Sequence, residues 1–344
     1  MKVQPGYAYE VSVIVVSFNT RDLLRECLQS IVSECERLPE GKTAEVLVVD
    51  NASKDDSAGM VEEEFCGFAP GSKATVKLIR SEVNLGFGAA NNLALEQCGG
   101  RYPVLLNSDA FFHEGCLNRA IEYMDRQPEV GIGGARLVSR NGGWQPSSRL
   151  FHTIWNDTIV LTGLSAKFAK SKIFGAPDRT WASPDEPCAT DWVPGAFLIL
   201  RREAMERVGL FDPTFFLYYE EVDLCLRVKQ AGYQVFYWPD VVVTHIGGES
   251  SRKMTNLKFS TASSQIELWR MRSTFLYYRK HHGAQTRLAR WLEEGLYTLR
   301  VWRNRYSKAP GRRERGEDAV QLRALLRQAW RETRGGRVSP ERPW

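Results

Sequence analysis

Short apolar runs, separated by polar turns and amphipathic segments, recur through the first half of the chain. The runs are VSVIVVSF (11–18), EVLVVD (45–50), VKLIR (76–80) and YPVLLNSDA (102–110). The segments between them carry apolar residues at helical spacing, and Thr20 or Asp22 can cap the first helix. Continuous apolar strands alternating with such helices are typical of a mostly parallel sheet with helices on both faces. The pattern therefore predicts an α/β fold.

The pattern changes near residue 127. Further strands are predicted at VGIGGARLV (130–138), at WVPGAFLILRR (192–202) and within 233–246. The Ser-, Pro- and Gly-containing stretch 139–190 is long for a connection, which predicts a functional or mobile segment. Beyond about residue 258 the sequence becomes helical and rich in Arg. We therefore expect a main α/β domain over 1–257, a basic helical C-terminal region over 258–333 and a disordered tail over 334–344.

Charge is distributed unevenly between these regions. The formal net charge is +5, but residues 1–251 carry a net −9 and residues 252–344 a net +14. A basic helix with interleaved aromatic residues suits the surface of an anionic membrane. A helical cap packed on the acidic domain, or a nucleic-acid-binding face, would use the same charges. The sequence leaves these alternatives open.

Cysteine usage and hydropathy bear on the cellular compartment. The seven cysteines are scattered and form no CxxC pair, which predicts reduced thiols and argues against a zinc site. The first residues, MKVQPGYAYE, contain no apolar core of a secretory signal, and no apolar run reaches about 18 residues. We therefore expect a cytoplasmic protein whose contact with a membrane, if any, is peripheral on the inner face.

Acidic and imidazole side chains follow the ends of several predicted strands, where ligands bind in parallel sheets. Asp50 can accept hydrogen bonds from a ribose or a base, or can cap the helix that follows. Asn107 and Asp109 flank Ser108 and project the same way, which suits Mg²⁺ or Mn²⁺ bridging phosphate oxygens, although such a motif is weak alone. His245 is either a metal ligand or a structural histidine.

A second acidic cluster, Glu220, Glu221 and Asp223, stands at a predicted helix start directly after an aromatic segment. Acids are favoured in the first turn of a helix, so the cluster can be structural. Carboxylates beside apolar surface and beside one another also acquire raised pKa values, as a general base near neutrality requires. Both interpretations stay open from the residues alone.

The loop NLGFGAAN (84–91) imitates a dinucleotide-binding fingerprint. Its last required glycine is replaced by Asn91, and it follows the third strand rather than the first. Gly86 and Gly88 still let the backbone approach a ligand closely, and a plain tight turn is the alternative.

Taken in order, these stretches resemble the family-2 inverting glycosyltransferases of GT-A fold, and their rhamnosyltransferase-like branch in particular. The matching segments are VSVIVVSFN, VLVVDNASKDDS, NLGFGAANN, VLLNSDA, WVPGAFLILRREAMERVGLFDPTFFLYYEEVDLCLRVKQAGY and VVVTHIGG, which span residues 11–248. The resemblance implies a Rossmann-like nucleotide-diphospho-sugar transferase fold and makes residues 1–257 the catalytic domain.

The resemblance also implies roles for individual residues. Asp109 would coordinate Mn²⁺ or Mg²⁺ on the donor diphosphate, with His245 completing the metal shell, while Asn107 replaces the first acid of the family's DxD motif. Glu221 takes the position of the catalytic base. The implied donor-nucleotide contacts are Asn19, Asp50, Asn84, Gly86, Gly88, Asn107, Ser108 and Asp109. The implied acceptor and sugar contacts are Trp192, Gly195, Glu220 and Asp223.

The function that the resemblance implies is metal-dependent inverting glycosyl transfer to a glycan or lipid-linked glycan in surface polysaccharide synthesis. The expected donor is dTDP-rhamnose, with a UDP-sugar such as a UDP-hexose or UDP-galactofuranose as the alternative. The resemblance argues against a nucleic-acid partner. A nicotinamide oxidoreductase would need a glycine fingerprint after the first strand, which VSFNTRD lacks. A catalytically inactive sugar-nucleotide-binding module is a further alternative.

Overall fold

Within residues 6–67, 72–247, 261–305 and 310–342, which the computed structural model describes, ten strands form one mixed sheet. The strands are β1 (Tyr9–Ser17), β2 (Ala44–Asn51), β3 (Ala74–Ser81), β4 (Gly100–Asn107), β5 (Ala110–Phe112), β6 (Val130–Val138), β7 (Trp144–Gln145), β8 (Cys188–Thr190), β9 (Phe197–Leu200) and β10 (Gln234–His245). The helices are α1 (Arg21–Glu36), α2 (Ser57–Glu64), α3 (Phe87–Leu95), α4 (Cys116–Arg126), α5 (Ile154–Leu161), α6 (Leu164–Lys167), α7 (Arg202–Val208), α8 (Glu220–Gln230), α9 (Thr261–His282), α10 (Gln285–Asn304) and α11 (Pro310–Glu332).

The sheet order is β3-β2-β1-β4-β9-β6-β10-β5, with β7 paired to β6 and β8 to β10. The first four strands of this order are parallel, β9 runs antiparallel to both of its neighbours, and β10 is parallel to β6. Ser17 on β1 pairs with Asp50 on β2, and Val16 pairs with Asn107 on β4, so these strands end at one level. The predicted α/β fold with a mostly parallel sheet is confirmed.

Alternate residues of the central strands enter two hydrophobic clusters. Val13 and Val15 belong to the cluster that includes α1 and α4 side chains. Ile14 and Leu47 belong to the other cluster, with side chains of α3, α7 and α8. Side chains alternate across a strand, so a strand buried on both faces needs apolar residues at successive positions. This requirement explains the continuous apolar runs.

The strand predicted at WVPGAFLILRR (192–202) is shorter in the structure, where it covers Phe197–Leu200. It begins at Phe197, because Pro194 has no N–H to donate to a ladder and Trp192 instead pairs with Arg149 through its backbone. The stretch 139–190 contains β7, α5, α6 and β8, so it holds secondary structure of its own.

The C-terminal helices pack on the α/β core. Leu276, Tyr277 and Tyr278 of α9 lie in the same hydrophobic cluster as strand and α8 residues, and Ser273 donates a hydrogen bond to the Leu217 carbonyl at 2.8 Å. Helix α11 packs against both α9 and α10, and the three share a small cluster of their own. The expected domain boundary at residue 257 lies outside the described residues.

The sequence predicts a disordered tail, but residues 334–342 have defined contacts in the structure. After α11, Gly335 and Gly336 adopt positive φ and turn the chain back. Ser339 then donates a hydrogen bond to the Thr214 carbonyl at 2.8 Å. All seven cysteines are free thiols. Among the described helices, we find none with the length and apolarity needed to span a bilayer.

Candidate active site

The carboxyl ends of β1, β2 and β4 bring three polar segments together. Ser17 ends β1 and shares a hydrogen bond of 3.0 Å with Thr20, which follows the strand, and Thr20 Oγ1 donates to Ser108 Oγ at 2.9 Å. The loop after β1 is therefore joined to the segment Asn107-Ser108-Asp109 after β4. Asp50, paired in register with Ser17, stands at the same edge. The register of parallel strands thus gathers residues that are far apart in sequence.

Asp50 is buried, and only one of its two carboxylate oxygens has a hydrogen-bond partner that the structure describes. Its Oδ2 accepts a hydrogen bond from the Ser53 N–H at 3.3 Å, within the turn that precedes α2, so Asp50 does not cap that helix, whose N-cap residue is Asp56. Its Oδ1 is buried with no partner among the described residues, which leaves an acceptor for a ligand hydroxyl or N–H. Asn19, at a left-handed φ of 56°, accepts from the Lys54 N–H at 2.7 Å and donates its own N–H to Ser53 Oγ at 3.0 Å. Asn19 therefore shapes the loop around Asp50.

Asp109 and His245 form the pair that could hold a metal ion. His245 Nε2 lies 3.5 Å from Asp109 Oδ1 and 3.5 Å from Asn107 Nδ2. Burial lowers the pKa of His245, against the opposing charge of Asp109, and so favours the neutral imidazole. On its other side, Nδ1 lies 3.1 Å from Gln145 Oε1, and Gln145 Nε2 donates to the His245 carbonyl at 2.8 Å. This arrangement places the proton on Nδ1 and turns the Nε2 lone pair toward Asp109.

These groups fit a divalent cation that is shared with a ligand. One carboxylate and one neutral imidazole are too few to satisfy a six-coordinate ion, and no cluster of three or more His, Cys, Asp or Glu side chains suited to a metal occurs in the described ranges. Most coordination positions would therefore belong to phosphate oxygens and water. An imidazole nitrogen beside a carboxylate favours Mn²⁺ over Mg²⁺.

The acidic cluster begins α8 after two residues in a strained conformation. Tyr218 and Tyr219 have φ of 69° and 70°, in the left-handed region that non-glycine residues seldom adopt. Such conformations cost about 1–3 kcal/mol each and persist where the surrounding structure enforces them, often at functional sites. The two tyrosines fix the direction in which Glu220 and Glu221 leave the chain.

Glu221 has the electrostatics of a general base. Its Oε2 is buried without a hydrogen-bond partner in the described part of the chain. Burial raises the pKa of Glu221, while the Gly195 N–H, Arg149 and His152 pull in the opposite direction. Burial and the charge of Glu221 also raise the pKa of Glu220. Glu220 is buried and packs behind the glycine loop, with its Cβ near Gly88, so we take Glu221 as the candidate base.

Two consecutive residues connect Glu221 to the metal pair. The Gly195 N–H approaches the Glu221 carboxylate. The carbonyl of the next residue, Ala196, accepts the hydrogen bond of the Asn107 N–H at 3.2 Å. The candidate base and the candidate metal segment are therefore both adjacent to one short stretch of backbone, Gly195–Ala196.

Trp192 and two residues that the sequence did not single out form the neighbouring wall. The Trp192 ring lies 5.0 Å from the Arg149 guanidinium and 5.8 Å from the His152 ring, and its Nε1 donates to the Leu150 carbonyl at 2.9 Å. These side chains border a cavity of about 170 Å³ that extends to α5, α9 and α10. Arg149 and His152 come from the long stretch 139–190, and its length was the one sequence signal for them.

Asp223 lies away from this opening. It is fully buried, with contacts of 2.6 Å to Lys280, 2.7 Å to His281 and 2.8 Å to Arg227. Burial alone would raise the pKa of Asp223, but the hydrogen bonds from His281 and Lys280 lower this pKa to about 2. Asp223 therefore ties α8 to α9, instead of facing the opening as the acceptor contact that the resemblance implied.

The glycine loop also packs on protein. A Cβ at Gly86, where φ is +82°, would overlap the Phe216 carbonyl oxygen, and a Cβ at Gly88 would lie 3.3 Å from Glu220 Cβ. Asn84 Oδ1 accepts hydrogen bonds from Asn51 Nδ2 at 3.0 Å and from the Gly86 N–H at 2.9 Å. These glycines allow the loop to pack closely against the segment that leads into α8. The loop therefore contacts the acidic cluster through protein packing.

Comparison with protein families gives two overlapping matches. The profile of Glycosyl transferase family 2 matches residues 12–185, and that of Glycosyl transferase family group 2 matches residues 104–335. The N-acetylglucosaminyl-diphospho-decaprenol L-rhamnosyltransferase of Mycobacterium tuberculosis is 24% identical over 310 residues, covering 84% of this chain and 90% of its own length. Rhamnosyltransferase WbbL of Escherichia coli is 24% identical over 277 residues, covering 78% and 92% respectively.

Solved structures give the same fold. Mannosyltransferase PcManGT from Pyrobaculum calidifontis, in complex with GDP-Man and Mn²⁺, aligns with a TM-score of 0.55 at 18% identity, covering 95% of this chain and 90% of that one. GalNAc-T7 with UDP, GalNAc and Mn²⁺ also aligns at 0.55, with 15% identity, covering 98% of this chain and 59% of that one. At these identities the likeness establishes the architecture alone.

Proposed function

Since the chain belongs to glycosyl transferase family 2 and is a glycosyltransferase, we propose that it carries out metal-dependent transfer of a sugar, with inversion, from a nucleotide sugar to a hydroxyl of a glycan or lipid-linked glycan. The observation that carries this proposal is that adjacent backbone residues meet the Glu221 segment and the candidate metal segment. The Gly195 N–H lowers the pKa of Glu221 through a hydrogen bond, and the Ala196 carbonyl accepts from the Asn107 N–H at 3.2 Å. A base and a metal segment that share one stretch of backbone fit a displacement between acceptor and donor.

The donor nucleotide would lie along the carboxyl edge of the sheet. The unpartnered Oδ1 of Asp50 suits a ribose hydroxyl or a base N–H. We propose dTDP-rhamnose as the donor, because two relatives that align over most of their length are named rhamnosyltransferases. A UDP-hexose or UDP-galactofuranose is the alternative with the same chemistry.

Asp109 and His245 would hold Mn²⁺ or Mg²⁺ against the donor diphosphate. When bound, such an ion stabilises the negative charge that develops on a departing nucleoside diphosphate. The protein contributes orientation: Gln145 fixes the His245 ring, and the hydrogen bond from Thr20 to Ser108 fixes the neighbouring segment. Mn²⁺ in the related solved complexes supports this assignment.

Glu221 would accept the proton of the acceptor hydroxyl as the hydroxyl oxygen attacks the anomeric carbon. The new C–O bond forms on the face opposite the departing diphosphate, so one displacement inverts the configuration. The proton stays on Glu221 until it passes to solvent, and the bonding pair of the old bond leaves with the diphosphate. Arg149 and His152 favour the ionised form of Glu221, which a base needs before each turnover.

The acceptor would enter past Trp192 through the adjoining cavity. Its wall joins aromatic and charged side chains, as sugar and phosphate recognition requires. A lipid-linked glycan is the acceptor class we favour, since the mycobacterial relative is named for a sugar carried on a diphospho-decaprenol. Such an acceptor requires the enzyme to work at a membrane surface, in the assembly of a surface polysaccharide or glycolipid.

A donor panel tests the proposal. Thermal unfolding would be followed with dTDP-rhamnose, UDP-glucose, UDP-galactofuranose and NADH, each with Mn²⁺, Mg²⁺ or EDTA. Ligands that bind the folded state raise the unfolding temperature, and we expect dTDP-rhamnose to do so only when metal is present. Asp109→Asn should abolish that shift, whereas Asp22→Asn, at an exposed position, should retain it.

The outcomes separate the alternatives. A metal-dependent shift with a UDP-sugar would keep the mechanism and change the donor. A donor shift without donor hydrolysis or transfer to any acceptor would indicate an inactive binding module. No shift with any nucleotide sugar would contradict the proposal.

A further inference from the structure

Helix α10 exposes a stripe of large apolar side chains. Trp291 is 67% and Trp302 70% exposed, and Leu288, Leu292 and Leu299 are exposed between and beside them. At about 100° per residue, these five positions lie on one face of the helix. Exposed tryptophans at two levels of one helical face are costly in water, so this stripe needs a partner.

A second apolar segment lies beside this stripe. Trp155, 61% exposed, and Val160 project from α5, and Phe168 and Ile173 are exposed on the chain that follows. Helices α5 and α10 pack together, and the Arg300 guanidinium of α10 donates to the Leu161 carbonyl at the end of α5. The α10 stripe and residues 155–173 are hereafter called the α5–α10 face.

The α5–α10 face continues into the cavity beside the candidate base. Val160 and Leu292 are exposed on that face and also line the cavity of about 170 Å³. Trp192 and His152 line the same cavity, and His152 acts on the Glu221 carboxylate. An apolar surface therefore leads to the cavity that Trp192 and His152 line.

The charge around this face is positive, in contrast to the acidic remainder of residues 1–251. Residues 158–177 contain three lysines and no Asp or Glu. Lys167 lies 5.1 Å from the Phe168 ring and Lys172 lies 5.5 Å from the Trp181 ring, so cations and aromatic rings alternate there. On α10, Arg287 and Arg303 are exposed beside the stripe. Tryptophans flanked by lysine and arginine are typical of protein surfaces at the lipid headgroup level.

We propose that the α5–α10 face binds an anionic lipid membrane, with α10 lying in the plane of the interface and the cavity opening toward the lipid. The apolar stripe would enter the headgroup and acyl boundary, and the flanking cations would contact lipid phosphates. We favour an anionic lipid surface over a partner protein because lysines of residues 167–172 and exposed arginines of α10 flank the aromatic side chains of this face. The assignment of the cavity to a lipid-linked acceptor rests on the proposed function, whereas the membrane contact does not.

Vesicle flotation of the full chain tests this proposal. The vesicles would be phosphatidylcholine alone or phosphatidylcholine with 30% phosphatidylglycerol, at low and high salt. We expect binding to the anionic vesicles only, weakened by salt. Replacing Lys167, Lys170 and Lys172 by Gln should weaken binding by about a hundredfold, since each nearby cation contributes about fivefold. The double variant Trp291→Gln/Trp302→Gln should weaken it at least about tenfold.

Matched controls remove similar residues elsewhere. Arg126, Arg207 and Arg313 are exposed cations remote from the face in sequence, and Val83 and Val320 are exposed apolar residues on other elements. Their replacement by Gln should leave flotation within about twofold of the parent. Every variant should keep the unfolding temperature and donor hydrolysis of the parent, since none of these residues belongs to the site.

The outcomes decide between occupants of the face. Equal flotation of parent and face variants, or no flotation of the parent, would overturn the proposal. A parent dimer in light scattering that Trp291→Gln/Trp302→Gln converts to monomer, without any vesicle binding, would assign the face to a second copy instead. Flotation can succeed while all donors fail, or fail while donors bind, so this proposal and the proposed function fail separately.

Discussion

Replacing Glu221 by Gln removes the candidate base while keeping its shape. The Glu221 Oε2 is buried without a partner in the described chain, so an amide of the same size fits the space. The variant cannot accept a proton, and loss of a general base costs about 100- to 10,000-fold in turnover. Donor binding should be unchanged, because the proposed donor contacts, Asp50 and the segment Asn107-Ser108-Asp109, do not include Glu221.

The direction in which Glu221→Gln changes the stability of the protein can be predicted. Burial raises the pKa of Glu221 above its ordinary 4.5, so the folded state holds the proton more tightly than the unfolded chain. The stability that this group contributes is present below that ordinary value and is lost as pH rises through the raised pKa. At neutral pH, Glu221→Gln removes the unfavourable burial of a charge. We therefore expect an unfolding temperature equal to or above that of the parent, together with the loss of turnover.

The assay is single-turnover release of nucleoside diphosphate with donor, metal and acceptor, measured across pH. The parent should lose activity as pH falls through the raised pKa of Glu221, and the residual activity of Glu221→Gln should lack that limb. Glu220→Gln is the matched control, because it makes the same change at the neighbouring buried acid of the same length. It should retain turnover. Turnover of Glu221→Gln within about tenfold of the parent would refute the assignment.

Three further predictions concern residues other than Glu221. Gln145→Leu should lower the Mn²⁺ affinity of the donor complex about 10- to 100-fold in a paramagnetic-resonance titration, because the metal-facing imidazole loses the partner of its Nδ1. Gly86→Ala should lower the free energy of unfolding in urea by more than about 1 kcal/mol, because its Cβ would overlap the Phe216 carbonyl oxygen. Gly209→Ala, with φ of +80° and open space, should cost less. Asp223→Asn should cost about 3–5 kcal/mol at neutral pH, since Lys280 and Arg227 lose the fully buried carboxylate that they contact. In the parent, that stability is present above pH 3.8 and is lost as pH falls through about 2.

Each of these three has a clear contrary result. Unchanged Mn²⁺ affinity in Gln145→Leu would mean that the imidazole needs no orienting partner. Equal losses for the two glycine variants would assign the effect to backbone conformation and remove the argument from close packing. An Asp223→Asn protein as stable as the parent at pH 7 would show that the carboxylate is not needed to compensate its basic partners.

Much of the fold follows from the residues themselves. A parallel strand with helices on both faces must be apolar at successive positions, and VSVIVVSF and EVLVVD satisfy that demand without alternation. The strand predicted at 192–202 was too long, because apolar character alone does not reveal that Pro194 breaks the ladder. The order of the tail was missed because packing of Gly336 against α9 is a long-range contact.

The sequence predicted only part of the candidate site. Asp50 and Asp109 stand at strand ends in the sequence, and the parallel register then places both at one edge of the sheet. Whether a side chain at that edge is available to a ligand depends on its partners. Asp50 keeps an unpaired oxygen, whereas the carboxylate of Asp223, although close to Glu221 in sequence, is occupied by contacts with α9.

The sequence by itself determined the α/β class, the strand ends that carry oxygen and imidazole ligands, and the acidic cluster that begins α8. These are local properties, because hydrophobic period and strand-end position are written in consecutive residues. Only the tertiary structure decided that Gln145 orients His245, a hundred positions away, that Gly195 and Ala196 join the base to the metal segment, and that α5 and α10 share an exposed apolar face. Such pairings depend on how elements pack, and no periodicity in the chain encodes which distant surfaces will meet.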